Sequence, residues 1–197
     1  MDLVKAITLC EVGPRDVLQS EKTLLTTEQK VELINDMTAA GFRVIEVGSF
    51  VNPKAVPQMA DTDDVFTRIA KAPDVEYRAL IANLRGVRRA AGCGCRKVKL
   101  NVSASTAHNL ANLNCTPSES VAGFKSCVEE AQNCNIAVSG SISMAFGSPW
   151  DKEIPIGDVK KVVEAYLAAG VTEISLSDAA GVAYPSQVFD MGKEMLQ

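Results

Sequence analysis

The chain has 197 residues, 47% of them apolar, with 20 basic against 24 acidic side chains and a net charge of −4. That balance gives no global field for nucleic acid or an anionic membrane, so an anionic ligand must be met by a local cluster of cations. No stretch approaches a membrane span, and the opening residues MDLVKAITLCEVG lack the apolar run and cleavage site of a secretory signal, so a cytoplasmic protein with no nucleic-acid or membrane partner is expected.

Short β-branched runs at 7–10, 43–47, 77–82, 97–102, 137–143 and 173–176 read as buried parallel strands. Directly behind the first lies EVGPRDVLQSEK (11–22), which sets an Arg15-Asp16 pair where a strand gives way to a loop. In parallel α/β folds the carboxyl ends of strands carry the chemistry, and a carboxylate beside a guanidinium suits a divalent cation next to developing negative charge. Asp16 is therefore a candidate metal ligand and Arg15 its electrostatic partner; a surface ion pair in a turn is the competing reading.

Thr26 opens a helix with Gln29 in capping-box register, Val31, Ile34 and Met37 supply its apolar positions, and Ala39-Ala40-Gly41 closes it. Arg85, Arg88 and Arg89 open the third helix and, with Lys54, are candidates for holding phosphates, against the alternative of a solvated helix face. Asn101, Ser103 and Ser105 alternate on and just past the fourth strand, where they either contact a ligand or satisfy buried backbone groups. His108, the only histidine, falls in a βα loop as a surface or rim residue. Thr116-Pro117-Ser118-Glu119 starts another helix, with Thr as N-cap, Pro at the first position and Glu at the third. Six cysteines (10, 93, 95, 115, 127, 134) contain no C-x-x-C pair, so neither structural zinc nor a disulfide framework is expected, and Cys127 and Cys134 should share the buried face of one helix.

The phrases AAGFRVIEV (39–47) and AAGVTEISL (168–176) repeat a helix ended by glycine, a short loop and a strand, and Ala90-Ala91-Gly92 precedes the fourth strand in the same way. This is the unit of a (β/α) barrel; a doubly wound sheet also alternates, but no G-x-G-x-x-G follows any strand. The expected fold class is α/β, a TIM (β/α)8-type barrel in one domain over 1–197, of which the sequence supplies about six strand-helix units where a complete barrel takes about 250 residues. A last helix over 185–197 with no seventh strand after it leaves the barrel incomplete at the C-terminus and its interior partly uncovered, so a homo-oligomer is expected.

EVGPRDVLQSEK, VIEVGSFVNPKAVPQMAD (44–61), NLNCTPSES (112–120) and EISLSDAAGVAYP (173–185), in that order, resemble the 3-hydroxy-3-methylglutaryl-CoA lyase family of metal-dependent (β/α)8-barrel enzymes, and the match runs through essentially the whole sequence. The resemblance implies cleavage of an acyl-CoA thioester, 3-hydroxy-3-methylglutaryl-CoA, to acetoacetate and acetyl-CoA, assisted by Mg2+ or Mn2+. It makes Asp16 the first-strand metal ligand and Arg15 the stabiliser of the enolate oxygen, with Glu11, Gln19, Glu46 and Asp178 lining the same pocket. Arg15, Glu46 and Asp178 are then the catalytic candidates, and Glu11, Gln19, Asn101 and Ser105 the substrate-binding ones. A retro-aldol cleavage needs a Lewis acid, an oxyanion partner and a base, which agrees with those residue types.

The sequence also departs from that pattern. The resemblance implies two further ligands from an H-x-H motif, an Asn, and a glycine-rich loop carrying a mobile cysteine, and the sequence stops before each of them. Weak metal binding and poor turnover are therefore expected, since octahedral Mg2+ wants several ordered ligands. Val17 follows the Arg-Asp pair where many relatives carry glycine, which requires negative φ there. Two other readings stand beside the lyase: a condensing synthase of the isopropylmalate or homocitrate type, which the phrase SFVNPKAVPQMAD disfavours, and a non-catalytic barrel fragment.

Overall fold

The computed structural model describes residues 5–196, whose strands β1 to β6 form one sheet in chain order. The chain groups into two compact units, one reaching Ile81 and including Arg85–Val98, the other made of Ala82–Leu84 and everything from Lys99 onward.

In the first unit the order is β1 (Cys10–Glu11), α1 (Thr27–Ala39), β2 (Val44–Ser49), α2 (Thr62–Arg68), β3 (Glu76–Ile81) and α3 (Leu84–Gly92), whose first residue belongs to the second unit. β1 pairs with β2 and β2 with β3, all parallel. The capping box expected at α1 is present: Gln29 N donates to Thr26 Oγ1 at 3.3 Å and Thr26 N to Gln29 Oε1 at 2.9 Å. Gly41 ends that helix with φ +95°, a conformation that a side chain would oppose. Ile34, Ile45, Val65, Phe66, Ala79, Ile81 and Val87 are buried to 5% exposure or less and form the core of this unit.

β1 is shorter and later than the sequence indicates. The run at 7–10 gives way to a two-residue strand, and Ile7 and Leu9 stand 76% and 64% exposed. β1 has one strand neighbour, and only Cys10 and Glu11 find ladder partners on β2. Apolar alternation marks a strand without saying where pairing begins.

The second unit runs from β4 (Lys97–Ser103, entering from the first unit) through α4 (Thr106–Leu113), α5 (Pro117–Ala122), α6 (Phe124–Asn133), β5 (Ala137–Ser143), α7 (Ile156–Ala168), β6 (Ile174–Leu176) and α8 (Pro185–Met195). α5 begins as the sequence predicts, with a Thr116–Glu119 capping box and Pro117 at the first position. The pairing of Cys127 and Cys134 on one buried face does not hold. Cys127 is buried on α6, whereas Cys134 is its half-buried C-cap, because Asn135 turns left-handed at φ +55° and Ile136 N donates back to Ala131 O at 2.8 Å. All six thiols are free.

Tyr166 of α7 organises the middle of this unit. Its ring stacks on Phe124 at 4.2 Å between centroids, and its buried hydroxyl lies 2.7 Å from Leu100 O and 3.1 Å from Ser141 O. Gly140 makes room for that ring, since a Cβ there would sit 3.0 Å from it. Removing the hydroxyl in Tyr166→Phe takes away the donor that faces Leu100 O and Ser141 O and is expected to cost about 1–3 kcal/mol. Gly140→Val adds overpacking and is expected to cost about 1–3 kcal/mol. Urea unfolding midpoints at unchanged slope measure both, and a wild-type midpoint for either variant contradicts the packing described.

Candidate functional site

Glu46 sits in β2 with no solvent exposure, a costly place for a carboxylate unless a cation meets it. The cation is Arg15, carried on a π-helical turn (Gly13–Val17) immediately after β1 and anchored by the buried Pro14. Arg15 donates from Nε to Glu46 Oε1 and from Nη1 to Asp16 Oδ1. The arginine side chain is 13% exposed and Asp16 56%, so the three residues form a line from a dry carboxylate to a wet one. Gly13 N donates to Glu11 Oε1 at 2.6 Å, which closes the turn on the last residue of β1. Val17 has φ −71° and ψ −53°, the negative φ expected of a β-branched residue at that place.

A β-bulge places Glu46. The register of β2 on β3 shifts between Glu46 and Gly48, a device that re-aims a side chain next to a site. Gly48 is required because a Cβ would lie 2.7 Å from Thr62 Oγ1, which donates toward Met59 O at 2.9 Å and Ser49 O at 3.1 Å. The bulge escaped the sequence reading; the Glu46-Val47-Gly48 glycine inside a strand was its one signal.

The loops that carry these residues are tied together. Lys30, 7% exposed, donates to Gln58 O and Asp61 Oδ1, each at 2.6 Å, and Thr27 Oγ1 donates to Asp61 Oδ2 at 2.8 Å. Gln58 Nε2 donates to Glu21 O at 2.7 Å, joining the loop after β2 to the loop after β1.

Gln19 apart, which is half-buried in a 3-10 turn (Leu18–Ser20), the other expected site residues make bonds of their own or stand exposed. Arg89 is withdrawn from the phosphate candidates, since it grips Asp63 with Nε at 3.1 Å, donates to Val51 O at 2.9 Å and lies over the Phe50 ring. Arg85, Arg88 and Lys54 are exposed. In the second unit Asn101 accepts from Ser143 Oγ at 2.9 Å, and Ser105, fully buried, caps α4 by accepting from His108 N at 3.1 Å while donating to Asp151. Asp178 accepts from Val182 N at 3.0 Å and Ala183 N at 2.9 Å, so both of its oxygens shape its own turn.

Chemically, Arg15 spends two of its five N–H donors on carboxylates, and the rest of the fork suits an incoming oxyanion. For a divalent metal the described residues do not suffice. No group of three or more His, Cys, Asp or Glu side chains among them is arranged to hold one.

The backbone N–H groups of Ala183 and Val182 hold the Asp178 carboxyl below its ordinary range. A depressed folded pKa means that the turn is secured above the ordinary carboxylate value, about 3.9, and loosens as pH falls through the lowered value. Amide chemical shifts of Val182 and Ala183 are therefore expected to hold from pH 7 to pH 4 and move below it, and Asp178→Asn is expected to flatten the titration. A shift centred at or above the ordinary value contradicts this reading.

The HMGL-like family model matches residues 6–197. The chain is 39% identical over 195 residues to the mitochondrial hydroxymethylglutaryl-CoA lyase of Homo sapiens, covering 99% of this chain and 60% of that protein. It is 41% identical over 182 residues to the 3-hydroxy-3-isohexenylglutaryl-CoA/hydroxymethylglutaryl-CoA lyase of Pseudomonas aeruginosa, covering 92% of this chain and 61% of that one. The solved HMG-CoA lyase of Bacillus subtilis superposes with a TM-score of 0.95 at 38% identity, over 100% of this chain and 66% of that chain. An HMG-CoA lyase from Acinetobacter baumannii, solved with coenzyme A and 3-methylmalate, gives 0.93 at 41% identity over 96% of this chain and 62% of its own. The chain thus spans about 60% of the length of the curated relatives it matches. The expected α/β fold of the (β/α)-barrel type, with six strand-helix units, is the fold observed. Sheet order, motif order and a match across 6–197 together assign the chain to the HMGL-like family.

Proposed function

We propose that the protein cleaves a 3-hydroxy-3-methylglutaryl-CoA-type thioester by retro-aldol chemistry. The observation that carries this reading is the Arg15 guanidinium fixed between buried Glu46 and exposed Asp16. In the reaction the tertiary alcohol loses its proton, the carbon–carbon bond breaks, and the electron pair moves onto the departing thioester as an enolate. Arg15 stabilises that enolate oxygen, and Glu46 keeps the guanidinium oriented at no cost of reorganisation during the step. Asp178 is the proposed partner for the alcohol proton: its carboxylate, held ionised by the backbone N–H groups of Ala183 and Val182, accepts the proton as the carbon–carbon bond breaks, and return of that proton to the enolate carbon releases the acetyl thioester. Glu11, Gln19, Asn101 and Ser105 are proposed to line the substrate region. Six free thiols and the absence, among the described residues, of a helix long and apolar enough to cross a membrane accord with a cytoplasmic setting. A homo-oligomer accords with the exposed Ile7 and Leu9 beside β1.

Mg2+ or Mn2+ would supply Lewis acidity when bound, with Asp16 as its ligand in this chain. One carboxylate already bonded to Arg15 gives such an ion a poor hold, and this favours a second reading, in which the 197 residues alone are a non-catalytic part of the barrel.

Two measurements separate these. Acetoacetate release from 3-hydroxy-3-methylglutaryl-CoA is expected, with Arg15→Gln slower by about 10²–10³-fold; a full-rate Arg15→Gln variant, or free thiol formed from acetyl-CoA and a keto acid instead, overturns the lyase assignment. Calorimetry with Mn2+ is expected to give weak binding that Asp16→Asn abolishes. Tight one-to-one binding removes the non-catalytic reading.

A further inference from the structure

Arg78 lies within β3 with its side chain 11% exposed, and the proposed chemistry makes no use of it. The parallel register sets it opposite Glu46, in the last regular pair of β2 and β3 before the bulge. Registered residues of neighbouring parallel strands point to the same face, and such strands lie about 4.8 Å apart, so Arg78 stands beside Glu46 on one side of the sheet. Tyr77 goes to the other side, where its hydroxyl lies 3.0 Å from that of Thr38 on α1. Arg78 donates from Nε to Glu76 Oε1 at 2.6 Å, and its Nη2 meets the same oxygen. Glu76 is 39% exposed. Five charges therefore alternate along this face and the turn that follows β1: Asp16, Arg15, Glu46, Arg78 and Glu76. The outer two are carboxylates in contact with water, the central one is a carboxylate sealed from it, and each guanidinium stands between a wet acid and the dry one.

We propose that Arg78 is a positioning residue for Arg15: it shares the charge of Glu46, so that Glu46 orients the Arg15 guanidinium without neutralising it. Water weakens the pull of Asp16 and Glu76, whereas the field of Glu46 acts through a dry interior on the cations beside it. With Arg15 as its one cation, Glu46 would cancel most of the positive charge that an oxyanion has to meet. With a second guanidinium alongside, the same negative charge is divided between two arginines, and Arg15 keeps positive potential on its remaining N–H donors. An ion pair with Glu76 alone does not account for this placement, since a partner in contact with water contributes little and gives no reason to set a largely buried guanidinium in register with a buried carboxylate. The inference rests on the oxyanion role proposed for Arg15.

Arg78→Met keeps an aliphatic stem and removes the charge, whereas Arg78→Lys keeps a charge. In the acetoacetate assay with 3-hydroxy-3-methylglutaryl-CoA, Arg78→Met is expected to lower kcat about tenfold with KM unchanged, a fraction of the loss expected on removing Arg15 itself, and Arg78→Lys to recover most of it. The nuclear magnetic resonance signal of the Arg15 Nε–H, identified by its loss in Arg15→Gln, is expected to move downfield in Arg78→Met as Glu46 leans on Arg15 alone, and to return toward its wild-type position in Arg78→Lys. Circular dichroism checks that each variant folds, and Arg78→Gln, which also lacks the charge, replaces the methionine variant if that one does not. A folded, uncharged variant with an unmoved Arg15 signal or a wild-type kcat overturns the charge sharing and leaves the lyase reading standing. A wild-type chain that releases no acetoacetate overturns the lyase reading, and the Arg15 signal then decides the role of Arg78 by itself.

Discussion

Glu46 brings a carboxylate to a position with no solvent exposure, and the Arg15 guanidinium is what makes that position tolerable. Moving such an ion out of water costs several kcal/mol even after the protein relaxes, and a cation recovers that cost only where its geometry is good and further hydrogen bonds meet the remaining lone pairs. Stability alone would be served as well by an apolar pair of similar volume, so the buried charge marks a place where the fold accepts a constraint in exchange for an oriented guanidinium. Much of the first unit follows from meeting that constraint. Pro14 is buried beneath the π-helical turn, Glu11 ties the start of that turn, and the bulge at β2 turns Glu46 toward it.

Because the guanidinium rides on a loop, its position is only as good as the loop's attachments. The ammonium of Lys30, itself nearly buried, joins α1 to the segment after β2 through Gln58 and Asp61, and Gln58 passes the connection on to Glu21. Arg89 does similar work one strand further along, clasping Asp63 and the Val51 carbonyl. Four charged side chains that a composition count would assign to the surface, Lys30, Asp61, Arg89 and Asp63, are thus used to hold loops at the carboxyl ends of strands.

What the sequence revealed was what is locally encoded. The boxes at Thr26 and Thr116 and the glycine stop at Gly41 each rest on residues within a few positions of one another, and their geometry could be anticipated from spacing. The Arg15-Asp16 pair and Glu46 were legible because an acid at a strand end within an ordered series of motifs is a specific pattern. The hidden features depend on distant partners. Arg89 read as one of three cations on a helix until Asp63 and Phe50 claimed it, and the bulge at Gly48 depends on Thr62, which arrives 14 positions later to occupy the space. The length of β1 was out of reach for the same reason, since pairing is decided by the strand beside it.

The second unit shows how a polar interior can be kept without loss of order. Barrel strands ordinarily fill their inner layers with bulky branched side chains, yet here Asn101 and Ser103 on β4 and Ser139 and Ser141 on β5 are all buried. A buried hydroxyl without a partner would cost roughly 1–3 kcal/mol, so such a face persists only if its members satisfy one another. They do so in part across the strands, where the Ser143 hydroxyl donates to Asn101 Oδ1 and the Ser103 hydroxyl to Ser143 O, while the Tyr166 hydroxyl faces the carbonyls of Leu100 and Ser141. On the helix side of the same strands the packing is apolar, with Tyr166 stacked on Phe124 against the small Gly140.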